Sequence, residues 1–178
     1  MTIYLDVSAA VNSRAGLGRY TRSLADALIA ELEIPPTLFY NRTSEATVPP
    51  NWRNLPQRAF RMGYKPWRML VWQGQLLRMD FSRLVPGAAI FHATEHLLLP
   101  LRGVPTVLTI HDLIFKLFPE HHKKLNYYFL NAAVPLFVRR ADAIIAVSQA
   151  TKNDLMRHYG TPDNKITVVH EAAAPHFR

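Results

Sequence analysis

The chain has 178 residues, with 21 Lys and Arg against 13 Asp and Glu, 8 His and no Cys, for a net charge of +8. That length suits one domain whose core holds without covalent staples. The lack of cysteine excludes disulfide frameworks, thiolate zinc sites and thiol nucleophiles. Hydrophobic residues make up 49% and charged residues 19%, the composition of a folded chain. No apolar run approaches the roughly 20 residues that span a bilayer. The first residues show no basic stretch leading into an apolar one, and the expectation is a soluble, cytoplasmic protein.

In chain order, residues 3–7 are short, apolar and rich in β-branched side chains, as a buried strand requires. A small-residue loop is expected over 8–18. Leu17, Tyr20, Leu24, Ala27, Leu28 and Leu32 then recur at helical spacing, and Pro35-Pro36 stops that helix. Residues 37–40 read as a second strand and 41–57 as a polar loop. From Pro66, a good first helical residue, Trp67, Leu70, Val71, Gly74, Leu77, Phe81 and Leu84 predict a helix closed by Pro86-Gly87. Strands are predicted at 88–92 and 105–110. A helix follows over 123–140, which Pro135 should kink. Residues 143–147 form a further strand, and Ser148 caps a helix that Gly160 closes. Residues 166–169 make the last strand. Strands and helices alternate and the strands are continuously apolar, so the fold class is α/β, an open parallel sheet with helices on both faces. Ligands of such sheets bind beyond the carboxyl ends of the strands.

Charge is concentrated between Trp52 and Arg83. Arg53, Arg58, Arg61, Lys65, Arg68, Arg78 and Arg83 face only Asp80 there, interleaved with Trp52, Phe60, Tyr64, Trp67, Trp72 and Phe81. One reading is a solvated helix face with its aromatics turned inward. The other is a patch for an anionic membrane surface, nucleic acid or a phosphorylated substrate. No nucleic-acid motif accompanies the charge, so nucleic acid ranks last.

Three motifs stand at strand ends. Asn12 to Tyr20 carries Gly16 and Gly18 ahead of a helix, where amides and the helix N-terminus offer about half a positive charge to a phosphate. A dinucleotide fingerprint would need a third glycine where Thr21 stands, and a tighter turn than the eight residues between Val7 and Gly16, so NAD is excluded. In Thr109-Ile110-His111-Asp112-Leu113, His111 is an imidazole able to exchange a proton near neutrality, with Asp112 as an adjacent carboxylate. Ser148-Gln149-Ala150-Thr151 joins a strand to a helix, as an N-cap or as free amides and hydroxyls for a substrate. His92, Glu95 and His96 leave a strand, so the four-residue spacing that aligns two ligands on a helix does not apply to His92 and His96, and no metal site is expected.

Asp6-Val7-Ser8, Gly16-Leu17-Gly18-Arg19-Tyr20, Thr109 to Leu113 and the run from Arg139 to Lys152 together resemble the N-terminal domain of a group 1 (family 4) glycosyltransferase. The run from Arg139, continued through Tyr159-Gly160 and Lys165 to Val169, is the most specific part. The resemblance implies a retaining, nucleotide-sugar-dependent enzyme of GT-B fold, in which two Rossmann-like domains face each other across a cleft. This chain would be the acceptor-side half over 1–170, with 171–178 starting the interdomain linker. The C-terminal domain that grips the nucleotide sugar would be absent, leaving the isolated chain inactive, as a natural split subunit or an excised domain. Gly16 and Gly18 would approach the donor diphosphate, and His111 would lie beside the transferred sugar. Arg19, Asp112, Ser148 and Thr151 would line the acceptor side. The nucleotide sugar is a substrate, and no cofactor or metal is implied. The acceptor would be a sugar or lipid. Independently of the resemblance, the interleaved Trp and Arg of 52–83 suggest peripheral contact with an anionic membrane, on its inner face. Where relatives commonly carry Asn-Gly after the last strand, this chain has Glu171-Ala172. The competing class is a non-enzymatic Rossmann-like partner module.

Overall fold

The computed structural model describes residues 2–172. Residues 173–178, most of the expected linker, lie outside the described residues. Seven strands form one all-parallel sheet: β1 (Thr2–Asp6), β2 (Thr37–Arg42), β3 (Gln57–Arg61), β4 (Ala88–Ala93), β5 (Thr106–Ile110), β6 (Ala143–Ala146) and β7 (Ile166–Val168). Their order is β3-β2-β1-β4-β5-β6-β7, so the winding reverses between β1 and β4. This is the expected Rossmann-like α/β architecture.

Alternating side chains of the same strands feed two apolar layers, as strand geometry demands. Leu5, Leu38 and Tyr40 pack with Val11, Ala25 and Trp52 on one face. Tyr4, Phe39, Phe91, Leu108 and Ile110 pack with Trp67, Val71, Val134 and Phe137 on the other. The helices are α1 (Ser8–Val11), α2 (Ala15–Glu31), α3 (Tyr64–Leu76), α4 (Ile114–Leu117), α5 (Lys124–Arg140) and α6 (Gln149–Tyr159). α5 runs unbroken across Pro135. Ser148 caps α6 through a hydrogen bond from the Thr151 amide, and Gly160 closes it in the left-handed region at φ 62°.

Three local expectations are corrected. The stretch 8–18 is not a loop, since α1 and the first turn of α2 occupy it, and Gly16 and Gly18 are helical. The region 41–57 is not wholly loop, because a short 3-10 turn covers Pro50–Trp52 and edge strand β3 begins at Gln57. α3 ends at Leu76, eight residues short of Leu84, where Arg78 turns to φ 53° and its amide and that of Met79 fold back onto the Gln75 and Gly74 carbonyls. The basic segment hides two of its three indoles: Trp52 and Trp67 are 0% and 1% exposed, and the Trp52 indole donates to Asp26, while Trp72 is half-buried. The inward reading of that segment therefore holds for both side chains. Arg53, Arg58, Arg61, Lys65, Arg78 and Arg83 remain exposed. Among the described residues no helix is long and apolar enough to cross a membrane.

Candidate functional site

The β1–β4 reversal is where a doubly wound sheet opens a crevice. Asp6 and Ala93, the last residues of those strands, are register partners, and the next strand over, β5, delivers His111 directly after Ile110. The His111 ring is held on three sides. Nε2 donates to the Thr94 carbonyl at 3.0 Å, Nδ1 lies 3.0 Å from Glu171 Oε1, and the Tyr20 ring meets it edge-on at 4.6 Å. A carbonyl and a carboxylate both only accept, so the imidazolium satisfies both contacts at once.

The backbone around His111 is equally tied. Thr151 Oγ1 donates to the His111 carbonyl at 2.8 Å. Ser148 Oγ accepts from the Thr151 amide at 3.0 Å, and its own proton goes to Thr151 Oγ1, since that hydroxyl has already committed its hydrogen. Thr94 Oγ1 donates to the Asp6 carbonyl at 2.7 Å and accepts from Thr21 Oγ1 at 3.0 Å. Strand ends β1, β4 and β5 and helices α2 and α6 are thereby joined around one imidazole.

The sequence-derived residues divide around this centre. A hollow of about 210 Å³ is lined by Leu17, His96, Ile110, His111, Asp112, Phe115 and Asn126, among others. Leu17 brings the first turn of α2, and so the neighbourhood of Gly16, to the same hollow as His111. A Cβ on Gly16 would meet nothing within 4 Å, leaving that backbone open. Gly18 is different: it is buried, its amide donates to the Arg14 carbonyl, and a Cβ there would fall 2.8 Å from the Ala9 carbonyl oxygen. Close packing of α1 on α2 requires that glycine, and it offers no amide to a phosphate. Arg19 is exposed and does not line the hollow. Asp112 lines it, but its carboxylate accepts from the Ile114 amide, and Glu171 is the acid that partners His111. Ser148 and Thr151 act on His111 through its backbone.

Beside this centre lies a cluster that sequence reasoning missed. Arg14 pairs with Glu95, whose side chain is 4% exposed. The Arg14 guanidinium also lies 4.5 Å from the Tyr64 ring centre, and that of Arg68 lies 5.1 Å from the same ring. Arg68 further stacks on Phe129 at 3.9 Å and sends both terminal nitrogens to Asn126 Oδ1 at 3.0 Å. Burial lowers the Arg68 pKa and raises that of Tyr64. Burial, assisted by the Arg14 and Arg68 cations, takes His96 down to about 3. Asp6 is 3% exposed, and burial pushes its carboxyl up to about 7 against the opposing bonds from Ser8. The partners Arg14 and Glu95 are 81 residues apart, and no spacing rule reaches that far. The signal available was the unusual acid between two histidines after a strand.

His92, Glu95 and His96 do not converge. His92 Nε2 pairs with Thr109 Oγ1 at 2.9 Å, and Glu95 is committed to Arg14. Two larger hollows lie elsewhere. One, of about 620 Å³, sits at the amino edge of the sheet beside Thr106 and Asp142, and the other, of about 740 Å³, lies against Pro135 and Tyr159. Size favours them, but the strand carboxyl ends and converging polar groups favour the His111 hollow.

A parallel sheet with this order, and with its polar residues gathered at the carboxyl edge of the reversal, defines a Rossmann-like α/β domain. The family described as Glycosyltransferase Family 4 matches residues 14–174, and the chain belongs to that family. Its general chemistry is accordingly glycosyl transfer. No curated protein matches the chain.

Proposed function

We propose that this domain forms the acceptor-side wall of a retaining glycosyltransferase, which moves a sugar from a nucleotide-sugar donor to an acceptor hydroxyl. The observation that carries this reading is His111, fixed at the end of β5 with its ring against α2 and its backbone tied to α6. In this role the ring lies beside the acceptor and the transferred sugar, and its half-exposed partner Glu171 yields Nδ1 to the acceptor hydroxyl or sugar when they enter. The open first turn of α2 at Gly16 presents free amides to the departing diphosphate as negative charge builds on it. Thr151 and Ser148 hold the His111 backbone, and Thr94 with Glu171 hold its ring. The reading assigns no role to a metal or cofactor.

The donor is gripped by a second Rossmann-like unit, and the 178-residue chain alone turns over no nucleotide sugar. In a protein that joins this domain to a nucleotide-sugar-binding unit, His111→Ala lowers kcat/KM by about 10- to 100-fold with the fold intact by circular dichroism. Unchanged turnover removes His111 from the site. Transfer by the isolated chain refutes the shared-cleft reading.

A further inference from the structure

Arg68 is a half-buried guanidinium with a neutral partner. Both of its terminal nitrogens converge on one amide oxygen, Asn126 Oδ1, and its faces are covered by Tyr64 and Phe129. Desolvating a cation is costly, and a carboxylate is its usual compensation. Glu95, a buried carboxylate close by, is taken by Arg14. Asp6 is predominantly protonated below neutrality because of its burial. Asp112 is exposed and bonded to the Ile114 amide. Two guanidiniums share the Tyr64 ring with a single committed counter-charge, and Asn126, which holds Arg68, is a wall of the His111 hollow. A two-pronged guanidinium fork matches two oxygens of a phosphate or carboxylate better than one amide oxygen.

We infer that the acceptor carries an oxyanion, a phosphate ester in the first instance, which seats against the Arg68 fork with Arg14 beside it and displaces Asn126. This deepens the acceptor-side reading by naming the substrate class. The acceptor hydroxyl then reaches toward His111 from an anchor on the α3–α5 side of the same hollow. Arg68 and Arg14 are binding residues in this scheme, with no proton or bond passing through them.

The test is direct binding to the 178-residue chain, without any donor, by isothermal titration at low salt. Probes are glucose 1-phosphate, the soluble short-chain lipid dihexanoylphosphatidic acid, and neutral methyl glucoside. Binding of either phosphate ester, and weaker or absent binding of methyl glucoside, is the expected result. Preference between the two esters tells whether the anion belongs to a sugar phosphate or a lipid headgroup. Arg68→Gln weakens that binding by about tenfold or more, whereas Arg157→Gln, an exposed arginine of α6 outside the basic segment, leaves it unchanged. Because Arg68→Gln also cuts the tie between α3 and α5, Asn126→Asp is the second variant. It keeps the tie, puts a carboxylate in the anion's place, and abolishes phosphate binding in a folded chain. Equal binding of charged and neutral probes, no binding of either ester, or wild-type binding by Asn126→Asp overturns the inference. None of these results bears on whether His111 supports sugar transfer, so the two readings fail separately.

Discussion

Asp6 carries its charge at a cost. Its carboxyl keeps a proton in the folded chain up to about pH 7, while the unfolded chain releases it above the ordinary 3.8. Between those values the native state binds more protons, so this group's contribution to stability declines as pH rises. The buried imidazoles act oppositely. His92 and His96 stay neutral in the fold down to about 4 and 3, whereas the unfolded chain protonates them below 6.5, and acidification from 6.5 therefore destabilises the protein. Asp6→Asn keeps an acceptor for the Ser8 amide and removes the ionisation. At pH 8 it should stabilise on the order of a few kcal/mol, falling to about 1–2 kcal/mol at pH 5 and vanishing only below the ordinary 3.8. Thermal melts of the two proteins across that range check this, and an equal difference in Tm at both ends would refute the assigned cause.

At the scale of the element, Gly16 and Gly18 share a helix and a motif, yet they face different demands. Gly18 touches the α1 backbone at Ala9, which cannot swing aside as a side chain would, so Gly18→Ala should cost about 1–3 kcal/mol. Gly16 has open space and a helical conformation, and Gly16→Ala should be neutral or stabilise by up to about 1 kcal/mol. Urea denaturation of both variants separates the roles, and equal losses would contradict the packing argument. A donor-binding defect in Gly16→Ala without any stability loss would mark the open turn as the place where a diphosphate comes close. α6 works similarly at a distance: its cap serves the helix and, through Thr151, aims His111.

For the whole molecule, net charge and its distribution decide what approaches it. With Trp52 and Trp67 buried, these indoles cannot insert into a bilayer as interfacial anchors, and the exposed arginines and Lys65 are left to act by long-range attraction. Peripheral contact with an anionic membrane, as we propose for this segment, should then be salt-sensitive. Vesicles containing anionic lipid should float the chain at low salt and release it at high salt, and neutral vesicles should not retain it. Equal retention by neutral vesicles would overturn a charge-driven contact.

The fold class was legible because its causes are local. Continuous apolar runs name strands buried on both faces, helical spacing names α2 and α5, and Ser148 and Gly160 mark the two ends of α6 within one turn of the residues they cap. β3 escaped because an edge strand has few neighbours to satisfy, and Gln57–Arg61 shows neither polar-apolar alternation nor an apolar run longer than Ala59-Phe60. The glycine motif was legible as a motif, but which glycine packs and which stands open depends on where α1 lies. The site itself was half legible. His111 stood out at a strand end, while its acid, Glu171, lies 60 residues away and Asp112 next to it turned elsewhere. Sequence alone determined most of the strands and helices, since those preferences act between near neighbours, but not the edge strand β3 or the short helix α1. Tertiary structure alone decided which charges meet, because only the order of strands in the sheet brings Arg14, Arg68, Glu95 and His111 to one edge.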